Sequence, residues 1–288
     1  MIAQKFEYVV PTSLGDAVNL LQKHAGHAKI LAGGHSLIPA MKLRLAMPQI
    51  LVDIGRIKDL SYIKEEAGQI RIGAMTTHYQ LESSDRLREI CPILPACAAQ
   101  IGDVQVRNKG TIGGSLAHSD PAADWPAAIL ALRADLVAVS ANGERVIKAD
   151  DFFVDMLTTA LEPGEILREI RITPPSGSYG QAYLKVAQPA SGFAVVGVAV
   201  NLTRDANGVC QSASIAITGV ASKVYRAAGV EQAITGKALD TQSAADAAMH
   251  ATDGISVNGD LYASETYRRH LAQVYTRRGI ETAASRAR

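Results

Sequence analysis

Ala28-Lys29-Ile30-Leu31-Ala32-Gly33-Gly34-His35-Ser36-Leu37 is an apolar run stopped by a glycine pair. Such a run reads as a short buried strand entering a tight turn, because glycine adopts backbone angles that other residues avoid. Upstream, Thr12 or Ser13 starts a helix. Asp16 stands three residues after Ser13, as in a capping box with Asp replacing Glu, and Leu14, Ala17, Val18 and Leu21 recur at helical spacing. Downstream, Ile50-Leu51-Val52-Asp53-Ile54 reads as a second buried strand. Strands and helix alternating at this distance predict a small α/β lobe.

A second α/β lobe follows, with strands predicted at 69–72, 136–140 and 166–172, helical sequence over 80–101, and a helix from Trp125 to Leu132. Between them, 110–124 reads as a long loop rich in Gly, Ser and Pro. Thr173-Pro174-Pro175-Ser176-Gly177-Ser178 is the clearest linker. Beyond it, 181–187, 193–203 and 209–219 predict a three-stranded antiparallel sheet, with Asn207-Gly208 as a hairpin signal, and 222–288 is Ala-rich and helical. The fold class is α+β: lobes at 1–57 and 58–174, then a C-terminal domain at 175–288.

Composition narrows the function. The 288 residues carry a net charge of +1, so no long-range field favours nucleic acid or a membrane surface. Cys91, Cys97 and Cys210 are too few for a disulfide framework or for a cysteine-held iron–sulfur cluster, and buried free thiols are expected. The N-terminus lacks the apolar core of a signal peptide, and the apolar stretch 193–200 is too short to span a bilayer. The expectation is a cytoplasmic protein with no metal site of its own.

A second glycine pair lies in Thr111-Ile112-Gly113-Gly114-Ser115. Neither pair fits G-x-G-x-x-G or G-x-x-x-x-G-K-[ST], which sets aside the two commonest nucleotide motifs. Backbone without Cβ still approaches a phosphate closely, and successive N–H groups converge into an anion-binding nest. With no Arg or Lys in either glycine core, any anion would be met by backbone dipoles and by the Ser36, Thr111 and Ser115 hydroxyls. A side chain added at Gly33 or Gly113 is expected to project towards that anion. Each segment alone also suits a plain structural turn.

These segments resemble the FAD-binding medium subunit of molybdenum hydroxylases, a family that includes the medium subunits of carbon monoxide dehydrogenases and, more distantly, the flavin domain of xanthine dehydrogenases. The resemblance also covers Ile72-Gly73-Ala74-Met75-Thr76-Thr77-His78, Asp120-Pro121-Ala122-Ala123-Asp124, Glu162-Pro163-Gly164-Glu165-Ile166-Leu167 and Tyr267-Arg268-Arg269-His270-Leu271, essentially the whole chain. It implies a PCMH-type fold in which the two lobes clamp FAD. By the same resemblance, Ala32, Gly33, Gly34, His35, Ser36 and Leu37 hold the pyrophosphate together with Thr111, Gly113, Gly114 and Ser115. Thr76 then lies near the flavin, Asp124 binds the ribityl chain, Leu161 gives a backbone contact, and Lys185 sits near the ring. No residue is implied as catalytic. His35 and His118 read as loop residues, so FAD is expected without a covalent bond. Phe193 stands where carbon monoxide dehydrogenases carry a Tyr over one flavin face; the ring is kept and the phenol lost.

The implied role is an electron relay to an external acceptor. Its partners would be a small subunit with [2Fe–2S] clusters and a large subunit with the molybdenum cofactor, in a dimer of heterotrimers. Two alternatives stand beside it. A self-contained flavin oxidase or reductase would place substrate-binding Arg or a catalytic acid over the flavin, and 176–203 shows little of that. A non-enzymatic nucleotide-binding module would purify without flavin colour.

Overall fold

The computed structural model describes residues 2–287. Strands β1 (Glu7–Val9), β2 (Ala28–Leu31) and β3 (Ile50–Asp53) form a parallel sheet with β3 in the centre. The helix Leu14–Lys23 links β1 to β2 and buries Ala17, Val18 and Leu21 against Ile50, Val52 and Ile54. Ser13 caps it by accepting the Asp16 N–H at 3.1 Å. The shorter Asp16 carboxylate accepts the Ser13 hydroxyl at 2.6 Å instead of reaching back to the cap's backbone, as Glu does in a full capping box.

The second sheet is antiparallel throughout. It comprises β4 (Ile63–Glu66), β5 (Gln69–Gly73), β6 (Asp135–Ser140), β7 (Gly143–Lys148) and β10 (Ile166–Ile172), in the order β4-β5-β10-β6-β7. A small hairpin, β8 (Phe153–Asp155) with β9 (Thr158–Thr159), precedes β10. Sequence patterning missed β4 and β7 because they are the edges: Lys64, Glu65, Glu66, Glu144 and Arg145 are exposed, as suits strands that must resist pairing with another chain. The helices Ile93–Ala98 and Asp124–Ala131 share one core with this sheet, Leu94, Trp125 and Ile129 joining Ile70, Ile72 and Ile170, while their backbones pack most closely on the strands that follow residue 178. Cys91, Cys97 and Cys210 are buried free thiols.

The stretch 110–124 is not one long loop. It contains the helix Ile112–His118, which Ser119 ends in the left-handed conformation (φ 52°). The third sheet gains a strand over the three expected: β11 (Ser178–Ala187), β12 (Ala194–Arg204), β13 (Cys210–Thr218) and the two-residue β14 (Tyr225–Arg226), all antiparallel. Gly208 makes the β12–β13 turn at φ +80°, where a Cβ is disfavoured.

The long helix Glu265–Arg286 packs on β11 and β12 and carries the buried Arg268. Its Nη1 donates to the Val195 and Gly219 carbonyls at 2.7 and 2.5 Å, and its Nη2 to Asp260 at 2.5 Å. The Gly219 N–H in turn donates to the Pro121 carbonyl (2.7 Å) and the Ala194 N–H to that of Ala122 (3.0 Å). The third sheet therefore fixes the strand of chain that enters Asp124. Among the described residues no helix is long and apolar enough to cross a membrane.

Candidate functional site

The site is built from two glycine segments of similar composition and opposite wiring. In the first, β2 ends at the buried Leu31 and Gly34 turns the chain at φ +78°. The Ile38 N–H then donates to the Gly34 carbonyl at 3.0 Å as the helix Leu37–Lys42 begins. Ahead of that helix, the N–H groups of Gly33, Gly34, His35 and Ser36 find no acceptor among the described residues. The Ser36 hydroxyl makes no capping bond either. Four consecutive uncommitted N–H groups on half-exposed backbone leave this segment able to donate to a bound group.

The second segment spends its donors internally. Ile112 N–H donates to the Thr76 carbonyl (3.0 Å), Gly113 N–H to that of Ala74 (2.8 Å), and Ser115 N–H to that of Thr111 (3.1 Å). Gly114 N–H goes to Thr111 Oγ1 at 3.1 Å. Its glycines answer to packing: a Cβ at Gly113 would lie 2.4 Å from the Ala74 Cβ and 2.6 Å from its carbonyl oxygen. A Cβ at Gly33 would lie 2.3 Å from the Lys109 carbonyl oxygen and 2.7 Å from the Gly110 Cα. Both would strike protein, which corrects the expectation that they project towards an anion. Gly114 closes the contact, its added Cβ being 3.3 Å from that of Ala32. The two segments are thus held face to face.

Asp124 opens the helix Asp124–Ala131, yet its carboxylate caps nothing. It accepts the Tyr183 hydroxyl at 2.5 Å and the Lys185 ammonium at 2.9 Å, and Lys185 Nζ also donates to the Gln100 carbonyl at 2.8 Å. The side chains of Lys185 and Asp124 are 1% and 4% exposed, so the pair is almost wholly withdrawn from solvent. Burial pushes the Asp124 carboxyl above the usual carboxylate range, opposed by the Lys185 ammonium and the Tyr183 hydrogen bond. The same burial, with the Asp124 charge, holds the Tyr183 phenol well above its ordinary value.

Other predicted residues are placed differently. Thr76 is fully buried, and its hydroxyl donates to the Tyr62 carbonyl (3.0 Å) and accepts the Tyr62 N–H (3.1 Å), so its side chain faces protein. The Leu161 N–H donates to Thr159 Oγ1 at 3.3 Å, which leaves its carbonyl for any further contact. Leu37 packs beside Leu31, Met41 and Leu51. Asp120 accepts the Ala122 N–H at 2.8 Å in a turn. His35 and Phe193 are exposed. Sequence reasoning missed Tyr183, although a period of two along β11 puts it on the face of Lys185. It also passed over His78, which accepts the Trp125 Nε1–H on Nδ1 at 2.9 Å.

Uncharged donors, two uncommitted hydroxyls and one buried ion pair fit a dinucleotide whose pyrophosphate meets backbone. The fold and site suit a protein that holds a phosphate-bearing cofactor between two segments of backbone. The chain belongs to the family described as the FAD binding domain in molybdopterin dehydrogenase, which it matches over residues 4–175. Residues 181–283 match the CO dehydrogenase flavoprotein C-terminal domain. It is similar to the carbon monoxide dehydrogenase medium chain of Afipia carboxidovorans, at 41% identity over 100% of both chains. The glyceraldehyde dehydrogenase medium chain of Sulfolobus acidocaldarius is 35% identical over 99% of this chain and 100% of its own. Among solved structures, the carbon monoxide dehydrogenase from Hydrogenophaga pseudoflava lacking the Mo-pyranopterin moiety superposes with a TM-score of 0.96, at 40% identity over 100% of both chains. The chain is therefore a flavoprotein subunit of an oxidoreductase.

Proposed function

We propose that this chain is the FAD-holding electron relay of a multi-subunit molybdenum hydroxylase. Electrons would reach it from [2Fe–2S] clusters of a small partner subunit, themselves fed by the molybdenum cofactor of a large subunit, and leave to an external acceptor. Two such heterotrimers would pair in the cytoplasm. The observation that carries the reading is the run of uncommitted N–H groups from Gly33 to Ser36, held against 110–114 beside the buried Asp124–Lys185 pair.

In this reading residues 1–57 and 58–174 are the two walls of the clasp, and 175–288 braces them. Gly33, Gly34, His35 and Ser36 bind the pyrophosphate through backbone N–H groups, with Ser36 and Ser115 adding hydroxyls. Ala32, Thr111, Gly113 and Gly114 keep the walls in register. Asp124 accepts from the ribityl hydroxyls, and Lys185 sets a positive charge by the ring. Phe193, 41% exposed, is free to stack on one face. When bound, FAD supplies the two-electron exchange, and the protein supplies position and electrostatics.

The substrate belongs to another chain: relatives at 41% and 35% identity are named for carbon monoxide and for glyceraldehyde. Purification from the native source, followed by mass spectrometry and metal analysis, tests the relay. The expected result is one releasable FAD per chain in a complex containing molybdenum and iron. A homo-oligomer that oxidises an organic substrate without either metal would replace the relay by a self-contained flavoenzyme.

A further inference from the structure

His78 follows Thr77, whose extended backbone bridges Thr111 of the second segment, and its own N–H donates to the Gly110 carbonyl at 3.0 Å. The residue is only 4% exposed. Tryptophan has a donor and no acceptor, so the 2.9 Å contact from Trp125 Nε1 requires a bare Nδ1 and puts the ring proton on Nε2. Burial first, then the charges of His35 and Arg107, push the imidazole down to about 4, so it is neutral at ordinary pH.

Nε2–H has no acceptor among the described residues, and it is not enclosed as the partnerless Thr276 hydroxyl is. It lies where the two segments touch: a Cβ on Gly110 would be 2.6 Å from Nε2, and one on Gly33 would be 2.7 Å from the Gly110 Cα. A mostly buried donor with a fixed tautomer, beside four uncommitted N–H groups, lacks only an anion. We propose that His78 is a cofactor ligand, its Nε2–H donating to a pyrophosphate oxygen of FAD. The inference rests on the FAD reading above.

Two amides separate the ring's two nitrogens. His78→Asn keeps an acceptor near Nδ1 for Trp125 and removes Nε2, whereas His78→Gln carries an N–H near Nε2 and gives up the acceptor. The full chain, stripped of flavin, is titrated with FAD while the emission of its single tryptophan, Trp125, is followed in the flavin-free form. Loss of one donor to a charged group weakens FAD binding by roughly tenfold or more in His78→Asn, with Trp125 emission unchanged, and His78→Gln stays within about threefold of wild type. Wild-type affinity in His78→Asn would overturn the assignment, as would equal losses in both variants that track the Trp125 emission, the mark of a packing role. A wild-type chain that takes up no FAD would overturn the reading of the clasp itself, and this assignment with it.

Discussion

The two glycine pairs look alike on paper and differ in what their backbones are doing. From Gly33 to Ser36 the N–H groups are uncommitted, and the segment is a half-exposed cradle. From Ile112 to Ser115 every N–H is taken by Ala74, Thr76 or Thr111, and the segment is a rivet between the second glycine run and the end of β5. A glycine pair marks close approach of backbone to something. What it approaches is decided by where the neighbouring donors point.

That difference predicts which positions break the fold and which break binding. Gly113→Val has the largest effect, because its Cβ would meet the Ala74 backbone, which is unable to yield as a flexible side chain does. The chain should lose several kcal/mol and most of its soluble yield. A melting temperature near wild type, with only FAD affinity reduced, would move this segment into the cradle class. Lys185→Met comes next. It strands Asp124 as a buried charge, a change that costs about 3–5 kcal/mol when one partner of such a pair is lost. The carboxyl pKa, already raised, rises further above its unfolded value, so the loss should deepen as pH rises through it. Thermal melts at pH 5 and 8 check the sign: the variant should fall further behind wild type at pH 8.

Glu169→Gln probes the frame behind the rivet. Burial would raise this carboxyl, but hydrogen bonds from Arg71, Tyr62 and Arg171 bring it down to about 2. A depressed folded pKa contributes stability that is present above the unfolded value of about 4.3 and is lost as pH falls through the folded one. The contribution is about 3 kcal/mol on a side chain 1% exposed. The variant should therefore be clearly less stable than wild type at pH 7, with the gap narrowing between about pH 4 and pH 2. Parallel pH–stability curves would contradict it. Ser36→Ala is the smallest change. One hydroxyl lost from the cradle should weaken FAD by a few-fold and leave the melting temperature of the flavin-free chain within about a degree, as a fluorescence titration and a melt can show.

Much of this was legible in the sequence where local chemistry decides. The Ser13 cap, the strands around Leu31 and Val52, the Asn207-Gly208 hairpin and both glycine pairs follow from residue type and spacing. What was not legible depended on long-range partners. The charged edges β4 and β7 show no alternation because both faces of each are largely solvated, Ile147 alone being buried. The helix Ile112–His118 hides behind two glycines, residues poorly suited to a helix interior, and is held where its first N–H groups donate to the Ala74 and Thr76 carbonyls just past β5. The Thr76 hydroxyl is paired with the Tyr62 backbone fourteen positions away, a partner that its spacing does not announce. The Trp125–His78 bond joins residues 47 positions apart, and no pattern in one sequence announces it.

The central claim is that Gly33 to Ser36 give their N–H groups to FAD while Ile112 to Ser115 do not. Hydrogen exchange on the full chain, with and without FAD, reads those amides directly. The account predicts fast exchange at Gly33, Gly34, His35 and Ser36 in the flavin-free chain and strong protection once FAD is bound. Amides 112–115 should be protected in both states. Exchange at 33–36 that FAD leaves unchanged, with new protection appearing at 112–115, would contradict it.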